Sequence, residues 1–196
     1  MSDEFDALRK LRPDRVHPDD PAEPVVFARE KERLMSTIEE TPPGGEAAWQ
    51  MLPDIYPRLA YEDERAALDY LVRVFQLQEI REARMEPDEH MLAWLRVGNG
   101  VVMIGHANAP IHRIHSPSTI GNTTVQIMVY VRNVDAHYEH AVAEGADITM
   151  PIDDAFYGER RYEATDLEGH RWHFAERFGD IKARGGVVPD DAPEDL

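Results

Sequence analysis

The run YGERRYEATDLEGHRWHF, residues 157–174, gathers two histidines, a tryptophan, two tyrosines and several charges. Such a set could ligate a metal, move a proton, or close a sheet whose aromatics only fill a core. His173 could be a ligand, a general base or a hydrogen-bonding wall of a binding cleft. His170 falls in the turn and is expected to be exposed, and Asp166 is expected to shape that turn through side-chain-to-backbone bonds. Gly158 and Gly169 read as turn glycines, because no Gly-rich loop precedes a helix here. His106, His112 and His115 form an HxxxxxHxxH spacing with no flanking carboxylate, a weak match to a zinc site, and His112 and His115 are expected to be solvated. Arg58 and Arg171 could clamp a carboxylate or phosphate, or form ordinary ion pairs with Glu163 or Glu159. Trp94 could fill a core or stack on a planar or cationic ligand. The chain has 0 cysteines, which rules out disulfides, thiolate catalysis and Cys-ligated zinc, and no Ser-His-Asp arrangement suggests covalent catalysis.

Positioning these groups requires a sheet. From Asp54 the pattern becomes regular: IYPRLAYED alternates like a strand, and ERAALDYLVRVFQ follows with helical spacing through Leu68, Leu71, Val72 and Phe75. EIREARME, HMLAWLRV and GVVMIGHA are three further strand-like runs, the last two divided by GNG. After the loop NAPIHRIHSPSTIGN the same order starts again: the strand TVQIMVYVRN, the helix VDAHYEHAVAEGA ending at Gly145, the short strand DITMP, and a hairpin of RRYEATD and HRWHFAER around LEG. Two copies of strand-helix-strand-strand-strand are the organising fact. Each copy has one helix for its sheet, so the copies must combine and leave their other faces to line a cleft.

Strand parity then sorts the side chains. Val125, Ile127, Val129 and Val131 share the helix-packed face, which leaves Gln126, Met128 and Tyr130 for the cleft. Trp172 and Phe174 belong to the helix side, which leaves Arg171 and His173. Leu59 and Tyr61 pack inward, which leaves Tyr56, Arg58 and Ala60. Trp94, Met103 and His106 are further candidates from the first copy.

YEDERAALDYLVRVF, VYVRNVDAHYEHAVAEGA and YGERRYEATDLEGHRWHF, in that order, resemble the two strand-to-helix steps and the closing hairpin of the vicinal oxygen chelate superfamily, which includes glyoxalases, bleomycin-resistance proteins and extradiol dioxygenases. The resemblance is closest to the bleomycin-resistance and PhnB-like branches. It implies an α+β fold of two tandem βαβββ modules, residues 54–106 and 122–177 of a domain spanning 54–177, forming a curved mixed sheet around a cleft. Metal-dependent members that the chain resembles place four ligands on four strands. Carried over, these positions fall on Tyr56, Gln126, His173 and near Met103 or Ile104. Thioether, aliphatic and neutral phenol groups are poor partners for a hard divalent ion, so no metal is favoured. The alternative is a reduced site for Ni, Fe, Mn or Zn built from Gln126, His173 and His106.

Outside the domain, residues 1–50 read as a Pro- and Asp-rich arm with one amphipathic helix over about 21–40, and 178–196 as an acidic arm. The formal charge of −17 repels phosphate backbones and anionic lipid, so neither nucleic acid nor membrane is an expected partner. The acidic opening MSDEFDALRK lacks the apolar run of a signal peptide, and a cytoplasmic location is expected. The resulting expectation is a metal-independent protein that binds an organic, cationic or aromatic ligand in the cleft lined by Tyr56, Arg58, Trp94, Met103, Gln126, Met128, Tyr130, Arg171 and His173. Such a protein could confer resistance by sequestration, and a homodimer is expected from the resemblance. The alternative is a lyase, isomerase or dioxygenase using the reduced metal site or His173 as acid/base.

Overall fold

The computed structural model describes residues 50, 52–86, 89–108 and 113–190. The expected helix over 21–40 and His112 lie outside them. The first module runs β1 (Arg58–Tyr61), α1 (Glu64–Val74), β2 (Gln78–Glu79), a 3-10 turn (Arg81–Ala83), β3 (Leu92–Val97) and β4 (Gly100–His106). A short helix, α2 (Pro117–Ile120), leads to the second module: β5 (Gln126–Tyr130), α3 (Val134–Ala143), β6 (Asp147–Ala155), β7 (Glu159–Thr165) and β8 (Arg171–Arg177). The two four-stranded sheets have the same order, β1-β4-β3-β2 and β5-β8-β7-β6. In each, the first strand runs parallel to the last and the remaining pairs are antiparallel. The duplicated α+β architecture expected from the sequence is present.

Local signals explain the helices. Asp63 caps α1 by accepting from the Ala66 N–H at 2.9 Å, and Asn133 caps α3 through the Ala136 N–H at 3.1 Å. Ala67, Leu68, Leu71, Val74 and Phe75 form the buried stripe of α1 and its cap, at the spacing an amphipathic helix requires. Val72, expected on that stripe, faces outward instead, 41% exposed.

Three expectations change. EIREARME is not a continuous strand: two residues pair with β3, the 3-10 turn follows, and Met85 makes an isolated bridge to Leu92. Its spacing of charges left few apolar positions for a sheet face. The last strand before the closing hairpin is longer than DITMP, extending to Ala155 with register shifts between Ile148 and Asp153. The C-terminal segment opens with a helix, α4 (Phe178–Ala183), whose Phe178 and Ile181 are buried. Those two residues stand three apart, the spacing that puts both on one face.

One core serves both modules. Leu59, Tyr61, Leu71, Val102 and Ile104 of the first share a cluster with Ile127, Val129, Tyr162, Trp172 and Phe174 of the second. Phe75 stands at its centre, 5.6 Å from the Trp172 ring and 5.0 Å from the Phe174 ring. The LEG turn fastens this seam. Asp166 accepts from the N–H groups of Glu168 and His170, from the Tyr61 hydroxyl at 2.6 Å and from the Trp172 indole at 3.0 Å. Glu168 reaches the start of α1, accepting from the N–H groups of Glu62 and Asp63 and from the Ser116 and Ser118 hydroxyls. Burial works to raise the Glu168 carboxyl, but these donors hold it below its ordinary value.

Candidate ligand-binding face

With the helix-covered faces turned into one core, each sheet has a second face on which the candidate residues fall. On β5 the alternation is regular: Ile127 and Val129 are buried in the core, while Gln126, Met128 and Tyr130 are exposed. Val125, expected with the buried set, is 47% exposed just outside the strand. On β8, Trp172 and Phe174 are fully buried in the core and Arg171 and His173 point the other way. The register sets His173 beside Met128 on one side and Glu163 on the other.

His173 is buried, 3% exposed, between two carboxylates. Its Nε2 lies 3.3 Å from Glu159 Oε1 and its Nδ1 lies 3.6 Å from Glu163 Oε1. Glu159 pairs with Arg177 and reaches His173 diagonally along the strand, past Ala175. The other oxygen of Glu159 accepts from the Tyr130 hydroxyl at 2.8 Å, and the Arg177 guanidinium sits 3.9 Å over the Tyr130 ring. The hydrogen bond to Glu159, then burial, push the Tyr130 phenol up, with the Arg177 charge opposing. Glu163 pairs with Arg171 at 2.7 Å. Burial works to raise the Glu163 carboxyl, but hydrogen bonds from Arg171 and Gln126 and the Arg171 charge bring it below its ordinary value. Arg171 is therefore an ion-pair partner of Glu163, the second of its two expected readings.

Beside this array lies an open groove of about 380 Å³, lined by Met128, Tyr130, Tyr157, Glu159, Arg177 and α4 residues from Phe178 to Lys182. Glu159 links the groove to His173 behind it. Glu159, Glu163 and Arg161 alternate along β7, and that period of two is the signal that could have placed both carboxylates on the face of His173. Arg177 shares the parity of Arg171 and His173 on β8, while Tyr157 and α4 complete the groove only through the tertiary fold.

The first module's second face is different. Ile80, Ala83, Trp94 and Val101 form a small buried cluster, with Leu52, Tyr56, Met85, Leu92 and Met103 packed against it. Tyr56 meets Trp94 edge to face at 6.4 Å. Trp94 is 2% exposed, so it is core here and not an open stacking platform. Arg58 donates from Nη2 to the His106 carbonyl at 3.1 Å and lines a separate cavity of about 290 Å³ with His170. Burial lowers its pKa.

Two histidine expectations are corrected. His170 is buried, 5% exposed, with its Nε2 2.9 Å from the Ala60 carbonyl and its ring 4.6 Å from that of Tyr61. The turn that carries it is pressed into the seam, which sequence position alone does not reveal. His106 shares the face of Val102 and Ile104 on β4, and its Nδ1 lies 3.3 Å from Glu64 Oε2 on α1. It therefore stands on the helix side of the sheet and cannot complete a site with Gln126 and His173. His115 is exposed, as expected.

The residues present do not fit a divalent ion at the strand positions used by metal-dependent relatives. Tyr56 and Met103 belong to an apolar cluster, Ile104 is core, and the two nitrogens of His173 address two different carboxylates. A ligand sphere needs donors that converge on one point.

This duplicated fold, with one face of each helix packed into the shared core and polar groups on the second sheet's free face, defines a class confirmed by comparison. Residues 55–174 match the sequence model of the Glyoxalase/Bleomycin resistance protein/Dioxygenase superfamily, and the chain belongs to that family. Among solved structures it is similar to TioX from Micromonospora sp. ML1, with 33% identity and a TM-score of 0.52 over 70% of this chain and 98% of that one. A superfamily member from Sphaerobacter thermophilus DSM 20745 shares the fold at 15% identity and a TM-score of 0.50, covering 65% of this chain and 99% of that one. An uncharacterised protein of Mycobacterium tuberculosis is 26% identical over 140 residues, 70% of this chain and 82% of its own length. No helix among the described residues is long and apolar enough to cross a membrane.

Proposed function

We propose that this protein binds a small organic cation with an aromatic or apolar body, without a metal, in the groove beside His173. The observation that carries the reading is the groove's lining: Met128, Tyr130 and Tyr157 offer apolar and aromatic surface, the two tyrosines already stack with the Arg177 and Arg161 guanidinium groups that a ligand cation would replace, and Glu159, bonded to Tyr130, offers a carboxylate at its wall. The formal charge of −17 favours the approach of a cation to the protein. Sequestration of a toxic compound, and hence resistance, is the physiological form such binding would take. Met128 and Tyr130 are 53% and 44% exposed on this face. A homodimer that covers part of it is in keeping with the reading, and light scattering on the purified chain would measure its mass.

The test is titration of the full chain with cationic aromatic compounds, followed by intrinsic fluorescence and thermal shift. Saturable binding that is weakened in Tyr130→Ala and Glu159→Gln supports the proposal. Binding that survives both substitutions sinks it.

One observation favours a second reading, acid/base catalysis on a bound substrate. Tyr130, Glu159 and His173 form a chain of hydrogen-bonding groups from the groove to a buried imidazole. Turnover of a bound ligand that disappears in His173→Gln while binding persists would select it.

A further inference from the structure

A second cluster of chemically capable side chains lies in module one, on the opposite side of its sheet from Trp94 and apart from the groove. Glu64 in the first turn of α1, His90 just before β3 and His106 at the end of β4 bring one donor atom each to within 4.8 Å of one another. They come from three separate elements, so the fold and not local sequence assembles them. We propose that Glu64, His90 and His106 form a binding site for a transition-metal ion of the zinc class, distinct from the ligand positions on the free sheet faces.

Both histidines meet the same carboxylate. His106 Nδ1 lies 3.3 Å from Glu64 Oε2, and His90 Nδ1 lies 3.5 Å from Glu64 Oε1. Two donors each about 2.0–2.2 Å from a tetrahedral zinc ion stand roughly 3.3–3.6 Å apart, and each histidine nitrogen has that spacing from one oxygen of the Glu64 carboxylate. The two imidazole rings stack at 4.0 Å with an interplanar angle of 14°.

The site is also built to hold its anion. Glu64 is only 5% exposed, and the Met91 N–H donates to its Oε1 at 2.8 Å, fixing the carboxylate beside the histidines. The His90 and His106 side chains are 49% and 29% exposed, so an ion can enter from solvent and keep water in its remaining positions. Two imidazoles and one carboxylate suit Zn²⁺, Co²⁺ or Ni²⁺ rather than Mg²⁺ or Ca²⁺, which take oxygen ligands. A bound ion would tie the start of α1, the entry to β3 and the end of β4 together.

The experiment uses the untagged full chain, freed of metal with chelator and titrated with Zn²⁺ by calorimetry and with Co²⁺ by visible absorption. One ion per chain is expected, with the intense d–d bands of a low-symmetry Co²⁺ site. His90→Ala, on a half-exposed side chain, should weaken binding by about a hundredfold or more, beyond the loss typical of outer-sphere changes. His106→Ala and Glu64→Gln should do likewise, and His173→Ala should bind as the parent does. Absence of saturable binding in the parent overturns the site. So does stoichiometric binding that is unchanged in His90→Ala or lost in His173→Ala.

Discussion

The two modules share strand order, helix placement and a common core, yet their free sheet faces carry different chemistry. In module one that face is filled by Trp94, Tyr56, Met103, Ile80 and Ala83. In module two it holds His173 between Glu159 and Glu163, with Tyr130 and Arg177 beside an open groove. The same topology thus builds a closed apolar plug in one copy and a polar, partly open surface in the other. A duplicated fold sets where side chains point. The residue types at those points decide whether the face stabilises the domain or meets a ligand.

The comparison can be broken most severely through module one. Trp94→Ala should cost about 3–5 kcal/mol, the range for removing a buried aromatic, measured by urea unfolding. A loss below about 1 kcal/mol would mean the plug is not a core. In module two, His173→Ala removes the group between two carboxylates and should cost about 1–3 kcal/mol, the scale of a buried polar group left unmatched. Its larger signature should be on ligand binding. Tyr130→Phe deletes one hydroxyl on a 44% exposed residue and should cost about 1 kcal/mol or less, while weakening capture of a cation. Arg171→Ala breaks an ion pair whose arginine side chain is 50% exposed, and should change stability by about 0–1 kcal/mol. If Arg171→Ala proved as damaging as Trp94→Ala, the contrast between an apolar plug and a solvated face would fail.

Titration sharpens the same contrast. Burial, followed by the charge and hydrogen bond of Asp166, pushes the Tyr61 phenol of module one well above its ordinary 10.0. The unfolded chain loses that proton near pH 10 and the folded chain keeps it, so this contribution is present below pH 10 and lost as pH rises above it. Tyr61→Phe should flatten the alkaline limb of a stability–pH curve. In module two, Glu163 and Glu168 are held below their ordinary 4.5. Their contribution is present above pH 4.5 and fades as pH falls through the folded values. His137, whose pKa burial lowers from 6.5, adds a loss of stability as pH falls below 6.5, because the unfolded chain takes up the proton more readily. Acid lability should therefore reside in module two, and Glu168→Gln should flatten the acid limb. An unchanged limb in either variant would assign that sensitivity elsewhere.

Much of the second module could be read from sequence, because β5 and β8 place apolar residues on alternate positions. Ile127 and Val129, and Trp172 and Phe174, fix the register of the core, so Gln126, Met128, Tyr130, Arg171 and His173 must face away. β4 offered no such guide. Val101, Val102, Met103 and Ile104 are apolar in succession and serve two different clusters, so the face of His106 stayed undetermined until the strand was paired. His170 was misread for a related reason. Turns are usually solvated, and only the docking of the LEG turn onto β1 and α1 buries it.

By itself the sequence determined the duplication, the family and the parity of strands with one apolar face, since these are carried by residue patterns along single elements. Tertiary structure alone decided that Glu159 and Glu163 would bracket His173, that Arg171 would be spent on Glu163, that α4 would wall the groove, and that Glu64, His90 and His106 would meet. Each of these depends on side chains from different strands or helices reaching within a few ångströms of one another. That distance is set by sheet register and by the shared core, neither of which is written in local spacing.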